Sequence, residues 1–358
     1  MIDLSRFFSD KYAALTPYTP GEQPKNRTFI KLNTNESPFP PSPRAMEYAR
    51  RAAESLHLYS DPTCAALTAK AAEVFGVDPD EIIFTNGSDD VLNFAFMAFC
   101  DQDHPACFPD ITYGFYSVFA ELNGVPYTRI PLNDDLTVNT QDYVNRNTTI
   151  FLANPNAPTG ILLPLADIET ILRGNPDNIV VIDEAYIDFG GESAVPLIHK
   201  YDNLLVTQTF SKSRSMAGAR LGMGFGCKAL IRDLNTIRYS TNPYNINSMT
   251  MAAGIGALED EVYFRDNCRA ITENRAWAAR QLKSLGFRLT DSSANFLFAR
   301  HDSISGKALY QALRSNGILV RHFDTPKLTD YLRITVGSIE EMKAFVTAIE
   351  TILKEATL

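Results

Sequence analysis

The chain has 358 residues, of which 45% are hydrophobic and 21% are charged, an ordinary mixture for a globular protein with one large and one smaller domain. Its formal net charge of −9 argues against a general binder of nucleic acid or anionic membranes, but it allows a local cationic pocket. The five cysteines form no C-x-x-C pair, and we expect neither a signal peptide nor a membrane span. These features predict reduced thiols in a cytoplasmic protein.

The first 44 residues are rich in proline and irregular, which predicts an arm that packs on the body of the protein or reaches a partner subunit. Within this arm, residues 32–38 place polar side chains before a proline that restricts the backbone. Such a segment is typical of a rigid loop that lines a site, although plain turn chemistry explains it equally well. Helices are predicted next at 43–56 and 63–75.

From residue 82 the sequence alternates between short apolar strands and helices. The strands are predicted at 82–85, 106–109, 149–153, 179–182, 204–207 and 223–226, and the helices between them at 91–100, 113–122 and 164–172. Continuous apolar strands that alternate with helices are typical of an α/β fold with a mostly parallel, buried sheet. Such sheets bind ligands beyond the carboxyl ends of their strands, so the polar residues there are candidate site residues.

A different order of elements follows one long helix predicted at 260–285. Strands are predicted at 286–290, 295–300, 318–322 and 331–336, and helices at 306–315 and 339–354. Strands and helices in this order favour a small α+β domain. We therefore predict an N-terminal arm at 1–44, which is part of the small domain, a large domain at 45–259 and a small domain at 260–358.

The first strand end of the large domain carries Gly87, Ser88 and Asp89, which open a helix. Glycine lets the backbone approach a ligand, and the free N–H groups of a helix start attract phosphate. An ordinary helix cap is the alternative interpretation. Because a carboxylate would repel phosphate, we predict that Asp89 caps the helix.

The next two strand ends carry Tyr113 and Asn156. An aromatic ring at the first of these ends could stack on a flat cofactor, whereas Phe115 and Tyr116 are better explained by core packing. Asn156 lies in a turn with two prolines and a glycine. Its amide is a suitable partner for a phenolate oxygen, although turn chemistry alone also explains it.

Asp183 ends an apolar strand, where a buried carboxylate is costly unless it is paired. A protonated pyridine nitrogen would be such a partner, and Tyr186, three residues later, could donate to a ring oxygen. The alternative is an aspartate that caps the following turn.

Lys212 lies in a serine-flanked turn after an apolar strand, and Arg220 follows eight residues later. This arrangement suits a Schiff base beside a phosphate, with the cofactor on Lys212 and its phosphate held by Ser211 and Arg220. A solvated loop of lysine and arginine is the alternative. Together with the other strand-end residues, however, the set meets the needs of pyridoxal phosphate.

Nearly the whole chain resembles the fold-type I pyridoxal-phosphate aminotransferases, and among them the histidinol-phosphate aminotransferases. The matching motifs are residues 15–18, 32–38, 59–62, 154–160, 183–186, 211–212, 217–222, 243–247, 320–321 and 332–337. The resemblance implies a large domain with a mostly parallel seven-stranded sheet and a homodimer.

The resemblance also implies a role for each candidate residue. Lys212 would carry the cofactor and move the proton at the substrate's α-carbon, and Asp183 would keep the ring nitrogen protonated. Asn156 and Tyr186 would bond the ring oxygen, and Tyr113 would stack on the ring. The implied phosphate ligands are Gly87, Ser88, Ser211, Arg220 and, from the neighbouring subunit, Tyr59.

The implied reaction is amino transfer between L-histidinol phosphate and 2-oxoglutarate in histidine biosynthesis, without a metal. Arg333 would bind a carboxylate and Arg321 a substrate phosphate, with Tyr18 and Asn33 beside them. An aromatic or broad-range aminotransferase and a threonine-phosphate decarboxylase remain alternatives of the same fold, although residues 32–38 favour an aminotransferase. A non-catalytic cofactor-binding module, such as the effector domain of a transcription regulator, is the alternative from another class.

The sequence departs from the family pattern directly after Lys212, where residues 213–216 read Ser-Arg-Ser-Met instead of Ala-Phe-Gly-Leu. Smaller departures occur at residues 88–90 and at Ser60. We expect Arg214 either to add a cation at the mouth of the pocket or to face solvent.

Overall fold

The structure, a computed structural model, describes residues 6–13, 15, 21–23 and 28–356. Tyr18 lies outside the described residues. Within them the strands are, in chain order, β1 (Ile30–Lys31), β2 (Ile82–Thr85), β3 (Ala106–Pro109), β4 (Tyr127–Ile130), β5 (Thr149–Ala153), β6 (Val180–Asp183), β7 (Leu204–Thr209), β8 (Gly222–Gly226), β9 (Phe287–Leu289), β10 (Phe296–His301), β11 (Ile318–Leu319), β12 (Arg321–His322) and β13 (Tyr331–Thr335).

The α-helices of the described residues alternate with these strands in the first part of the chain. They are α1 (Pro43–Ala52), α2 (Ala65–Phe75), α3 (Ser88–Phe99), α4 (Phe115–Asn123), α5 (Leu165–Arg173), α6 (Lys228–Thr241), α7 (Ser248–Glu259), α8 (Glu261–Ser284), α9 (Gly306–Ser315) and α10 (Ile339–Ala356). Within the described ranges, no helix is both long enough and apolar enough to cross a lipid bilayer.

The larger sheet has seven strands in the order β2-β8-β7-β6-β5-β3-β4. Neighbouring strands are parallel except at β8, which is antiparallel to both β7 and β2. The mostly parallel, seven-stranded sheet that the resemblance implied is therefore confirmed.

Both faces of the larger sheet are covered, which explains why its central strands are buried at every position and mostly apolar. In β5, Ile150 and Leu152 belong to the core on one face, whereas Phe151 between them belongs to the core on the other. Burying side chains of this size stabilises the fold by about 1.5–3 kcal/mol each. A strand with no solvated face shows no alternation of polar and apolar residues.

Three elements of the large sheet region were not predicted from the sequence. The edge strand β4 has two exposed residues among its four, and α6 is largely polar on its solvent side, so neither carries a strong apolar signal. The small residues of α7 let that helix pack closely on α1. For example, a Cβ on Gly256 would lie 2.7 Å from the carbonyl oxygen of Arg44.

The smaller sheet is antiparallel, with the order β12-β13-β10-β9, and has its own core against α8, α9 and α10. The single strand predicted at 318–322 is wrong, because the chain changes partner at Val320. Before this point β11 pairs in parallel with β1, and after it β12 pairs with β13. Through β1, Leu32 enters the core of the smaller sheet. The predicted domain limits at 44 and 259 stay predictions.

The contribution of the core of the smaller sheet to stability can be tested at Phe345 of α10, whose side chain is only 1% exposed. Phe345→Ala should lower the free energy of unfolding by about 3–5 kcal/mol. Lys343→Ala, at an exposed position of the same helix, should change it by less than about 0.5 kcal/mol. Urea denaturation measures both values, and similar small losses in the two variants would show that Phe345 does not contribute to the core.

Candidate active site

A cavity of about 340 Å³ lies at the edge of the larger sheet where its parallel strands end. Its walls include the last residues of three neighbouring strands, Ala153 of β5, Asp183 of β6 and Thr209 of β7. The predicted site residues that line this cavity are Ser88, Tyr113, Asp183, Tyr186, Ser211, Lys212 and Arg220.

Asp183 provides a buried acidic group in this cavity. Its side chain is 5% exposed and accepts hydrogen bonds of 3.0 Å from the hydroxyls of Tyr116 and Thr207. Burial disfavours the charged form and raises the pKa of the Asp183 carboxyl from its ordinary 3.8 to about 6, although the two hydroxyls act in the opposite direction. A cation held against this carboxylate would keep it charged.

The two hydroxyl donors to Asp183 were missed from the sequence. Thr207 lies level with Asp183 in the parallel pairing of β6 and β7, so the rule that pointed to strand ends could have found it. Tyr116 was predicted to pack in the core, and its ring is indeed fully buried. It lies three residues after Tyr113, which precedes α4, and the two rings meet edge to face with their centroids 5.7 Å apart.

Lys212 enters the cavity from the turn that follows β7. Its Nζ lies 3.4 Å from the carbonyl oxygen of Thr34 and 5.7 Å from the ring centroid of Tyr186. The next residue, Ser213, is buried and donates its hydroxyl hydrogen to the carboxylate of Asp188. The backbone that carries the lysine is therefore anchored directly beside it.

Arg214 neither lies at the mouth of the cavity nor faces solvent, so both predicted positions are wrong. Its side chain is buried, donates from Nη1 to the carbonyl oxygen of Ala257 at 2.9 Å, and lies 4.2 Å from the ring centroid of Phe264. The nearby carboxylate of Asp188 offsets part of the cost of burying this charge. Arg214 thus packs the Lys212 turn against α7 and α8.

The antiparallel direction of β8 brings an arginine to the same edge of the sheet. The first residue of β8, Gly222, lies level with Thr85 at the end of β2 and with Thr209 at the end of β7. Arg220 precedes β8 by two residues and so lies where the parallel strands end. A parallel strand in this place would have carried it to the opposite edge.

Two glycines create a close approach of backbone and guanidinium at this edge. Gly87 is the N-cap of α3 with a φ of +92°, and a Cβ on it would lie 2.5 Å from Nη2 of Arg220. A Cβ on Gly222 would lie 2.1 Å from the backbone nitrogen of Ser88. Gly222 therefore does not accept a side chain, and a side chain at Gly87 would be strained at this φ and would displace the guanidinium. The result is a cradle in which the N-terminus of α3 and Arg220 face the same cavity, a donor set suited to a phosphate group.

Hydroxyl groups complete this cradle. Ser211 is 7% exposed, and its Oγ lies 3.0 Å from the hydroxyl of Thr209, which also accepts the backbone N–H of Ser211 at 3.1 Å. Thr209 lines the cavity and was not predicted, because it lies inside β7, which extends two residues beyond the predicted end.

The predicted capping role of Asp89 is wrong. The residue lies inside the first turn of α3, whose N-cap is Gly87, and its carboxylate lines the cavity. It accepts a hydrogen bond of 2.8 Å from the hydroxyl of Tyr113 and lies 3.4 Å from Nη2 of Arg220. An anion that binds Arg220 therefore has to compete with this carboxylate for the guanidinium.

Tyr186 and Asn156 differ in how they meet the cavity. The phenol oxygen of Tyr186, a cavity residue, accepts a hydrogen bond of 3.0 Å from Nδ2 of Asn35. Asn156 is buried and lines a separate cavity of about 180 Å³ instead. Its Nδ2 donates to the carbonyl oxygen of Ile111 at 3.0 Å and to the hydroxyl of Thr159 at 3.1 Å. To donate to a ligand, Asn156 would have to release one of these bonds.

Arg321 and Arg333 lie in a neighbouring cavity of about 290 Å³, which shares Tyr113 and Ala157 with the first. The two arginines are directly opposite each other in the antiparallel pair of β12 and β13, so their side chains share one face. Nη2 of Arg333 donates to the carbonyl oxygen of Asn33 at 3.1 Å, which places Asn33 beside this cavity. The structure thus brings together three of the four predicted substrate residues.

Tyr59 does not join either cavity within this chain. Its side chain is 84% exposed and stacks on Tyr244, with ring centroids 4.6 Å apart.

The sequence as a whole also matches a known family. A family model described as aminotransferase class I and II matches residues 27–349. The chain belongs to the class I and II aminotransferases. A curated relative, the histidinol-phosphate aminotransferase of Brachyspira hyodysenteriae, is 48% identical to this aminotransferase over 357 residues, which cover 98% of the chain and 100% of the relative. The predicted family is confirmed.

Solved structures confirm the fold of this aminotransferase. A histidinol-phosphate aminotransferase from Sinorhizobium meliloti in complex with pyridoxal-5'-phosphate matches it with a TM-score of 0.90 at 23% identity, over 99% of this chain and 100% of that chain. An L-threonine-O-3-phosphate decarboxylase from Porphyromonas gingivalis matches with a TM-score of 0.80 at 21% identity, over 90% and 99% of the two chains. Because both activities occur on this fold, the substrate has to be argued from the residues.

The raised pKa of Asp183 predicts that the stability of the ligand-free aminotransferase depends on pH. Its raised pKa means that its contribution to stability is fully present below about pH 3.8 and is lost as the pH rises through about 6. Asp183→Asn should therefore reduce the fall in unfolding free energy across this window by up to about 1.4 kcal/mol per pH unit. Urea denaturation at a series of pH values measures the slope. Asp103→Asn, at an exposed position, is the control, and equal slopes in all three proteins would contradict the assignment.

Proposed function

We propose that the protein is a pyridoxal-phosphate-dependent aminotransferase that transfers an amino group between L-histidinol phosphate and 2-oxoglutarate. The observation that carries this proposal is the single cavity in which Lys212, the buried carboxylate of Asp183 and the cradle around Arg220 meet. A lysine, an acid and a phosphate site in one cavity are the groups that this cofactor requires. The choice of histidinol phosphate as the substrate comes from the curated relatives, which are histidinol-phosphate aminotransferases.

The donor set of the cavity fits the cofactor. The phosphate would be held by Ser88, Ser211, Arg220 and the backbone at Gly87. Because Gly87 and Gly222 have no side chains, there is room for that group. Asp183 would face the ring nitrogen, and the positive charge there would supply the partner that its buried carboxylate needs. Tyr113 would stack on the ring, and Tyr186 and Asn156 would hold the ring oxygen.

The bound cofactor supplies an electron sink for the substrate's α-carbon. The chain's own groups set up that chemistry. Tyr116 and Thr207 hold the Asp183 carboxylate in one orientation by donating a hydrogen bond to each of its oxygens. Lys212 carries an amine that takes and returns a proton as a general acid and base, and the anchored Ser213 beside it limits the positions this amine can reach.

The facing arginines of the neighbouring cavity support a doubly anionic substrate. Like charges directly opposite each other in an antiparallel pair are destabilising, and an anion between Arg321 and Arg333 would remove that repulsion. Histidinol phosphate has no α-carboxylate, so both guanidiniums would serve its phosphate. One of them would turn to a carboxylate when glutamate or 2-oxoglutarate binds. Asn33, next to Arg333, would border the same substrate.

We further propose a homodimer in the cytoplasm, with the domain limits predicted above. Two large aromatic side chains, Tyr59 and Tyr244, are 84% and 43% exposed and stack on each other, which suits a surface covered by a second subunit. In such a dimer Tyr59 would reach the phosphate site of the neighbour. The free thiols of all five cysteines are in keeping with a reducing compartment.

Covalent attachment of the cofactor to Lys212 is testable by borohydride reduction followed by peptide mass spectrometry. In the wild-type protein the mass of the cofactor should be found on the peptide that contains Lys212. Lys212→Arg keeps the positive charge but cannot form the linkage, so it should show no added mass and lose essentially all turnover. An unmodified Lys212 peptide in an active wild-type enzyme would refute the assignment.

Arg321 tests the choice of substrate. Arg321→Ala should lower kcat/KM for histidinol phosphate by about 10- to 100-fold, because a charge-assisted contact to phosphate is lost, and should affect phenylalanine and tyrosine much less. Arg288→Ala, which removes an exposed arginine of the same small sheet, should change neither. The measurement is a half-reaction screen, in which the loaded enzyme is mixed separately with histidinol phosphate, aromatic amino acids and threonine phosphate.

Each outcome of that screen has a clear meaning. Conversion of the cofactor to its amine form by histidinol phosphate, impaired in Arg321→Ala, supports the proposal. Equal losses on phosphorylated and aromatic donors would favour a broad-range aminotransferase. Release of carbon dioxide from threonine phosphate, with no amino transfer from histidinol phosphate, would favour the decarboxylase.

A further inference from the structure

Asn35 is a polar residue near the candidate active site whose polar groups are all hydrogen-bonded. It is 1% exposed and has a φ of +55°, in the left-handed region. Its side chain and backbone connect the N-terminal segment, the smaller sheet and Tyr186 of the main cavity. The sequence predicts only a rigid polar loop at residues 32–38 and no role for Asn35 itself.

Four hydrogen bonds use every polar group of Asn35. Its backbone N–H donates to the hydroxyl of Thr335 at 2.9 Å, and this hydroxyl donates to Oδ1 of Asn35 at 3.0 Å. Its carbonyl oxygen accepts from Nδ2 of Asn295 at 3.0 Å, and its own Nδ2 donates to the phenol oxygen of Tyr186 at 3.0 Å. Because Thr335 engages Oδ1, the amide turns its NH₂ group toward Tyr186.

The direction of the hydrogen bond between Asn35 and Tyr186 determines which group the phenol can donate its own hydrogen to. An amide NH₂ group is a donor without an acceptor lone pair, so the phenol oxygen of Tyr186 accepts from Asn35 and cannot donate to it. Within the described part of the chain, the hydrogen-bond partner of this phenol is Asn35. The hydrogen of Tyr186 is therefore left for an acceptor in the cavity that Tyr186 lines.

We propose that Asn35 is a positioning residue that orients the phenol of Tyr186, so that its hydrogen is presented to the ring oxygen of the cofactor. This inference rests on the proposed function, since it concerns the same site. It separates two roles: Tyr186 touches the cofactor, whereas Asn35 acts through Tyr186. The second contact of the phenol's ring, edge-on against Phe296 at 5.1 Å, fixes the ring but does not select the direction of the hydrogen.

The position of Asn35 also links this phenol to the substrate arginines. Thr335, which holds the Asn35 side chain, follows Arg333 by two residues in β13, so both side chains lie on the same face of the strand. The backbone N–H of Thr335 donates to the carbonyl oxygen of Leu32 at 3.0 Å. The strand that carries Arg333 therefore also holds the group that orients Tyr186.

The test uses the cofactor-loaded enzyme and the pH at which the visible absorbance of its bound cofactor changes. A hydrogen bond to the charged ring oxygen lowers this midpoint, so removing it should raise the midpoint by about one pH unit. Tyr186→Phe gives the full effect. Asn35→Gly accepts the positive φ and deletes the amide, and should raise the midpoint in the same direction. The double variant should match Tyr186→Phe alone, because the two residues act through one hydrogen bond.

Asn295→Ala is the matched control, because Asn295 bonds only the carbonyl oxygen of Asn35 within the same network. It should lower the melting temperature without moving the absorbance midpoint. Asn35→Asp keeps the shape of the side chain but accepts the phenol hydrogen, so it should raise the midpoint at least as far as Asn35→Gly. This variant also provides the test if Asn35→Gly does not fold.

Two results would overturn the inference. One is a midpoint that stays at the wild-type value in folded, loaded Asn35→Gly or Asn35→Asp. The other is an equal shift in Asn295→Ala, which would indicate a general structural effect. A wild-type protein that binds no pyridoxal phosphate would instead overturn the proposed function itself, before the variants are compared.

Discussion

The burial of one carboxylate, that of Asp183, is the interaction on which the rest of the site depends. A charged carboxylate 5% exposed at the end of a strand is costly, and the two hydroxyls that bond it, from Tyr116 and Thr207, recover only part of that cost, since its pKa still rises to about 6. The burial of this carboxylate is thus only partly compensated within the protein, and a cationic group bound against it would stabilise its charged form. A buried group with a shifted pKa that lines a cavity is a candidate for ligand binding.

The second constraint is the direction of β8. One antiparallel strand in an otherwise parallel sheet brings the residues before it, including Arg220, to the edge where the other strands end. Gly222 and Gly87 then allow the guanidinium and the start of α3 to approach within distances that any side chain would prevent. The cradle around Arg220 is thus a consequence of sheet topology as much as of the residues that line it.

Much of this arrangement could be predicted from the sequence, because buried parallel strands are apolar throughout and the polar residues after them lie at one edge. That rule placed Lys212 and Asp183 in one cavity. It failed for contacts made across long stretches of chain. The burial of Arg214 against Phe264 depends on a helix some fifty residues later, and the turn of Asp89 toward Arg220 depends on β8. The edge strand β4 gave too weak an apolar signal to be recognised.

The pairing of β1 with β11 has a consequence for how the gene could be divided. The core of the smaller sheet includes Leu32, which lies more than 200 residues before the helix α8 that begins the C-terminal region. A fragment that starts at α8 would lack this residue and would expose the edge of β11 that β1 covers. A recombinant that joins the N-terminal segment of one relative to the C-terminal region of another would have to keep compatible residues on both sides of this contact.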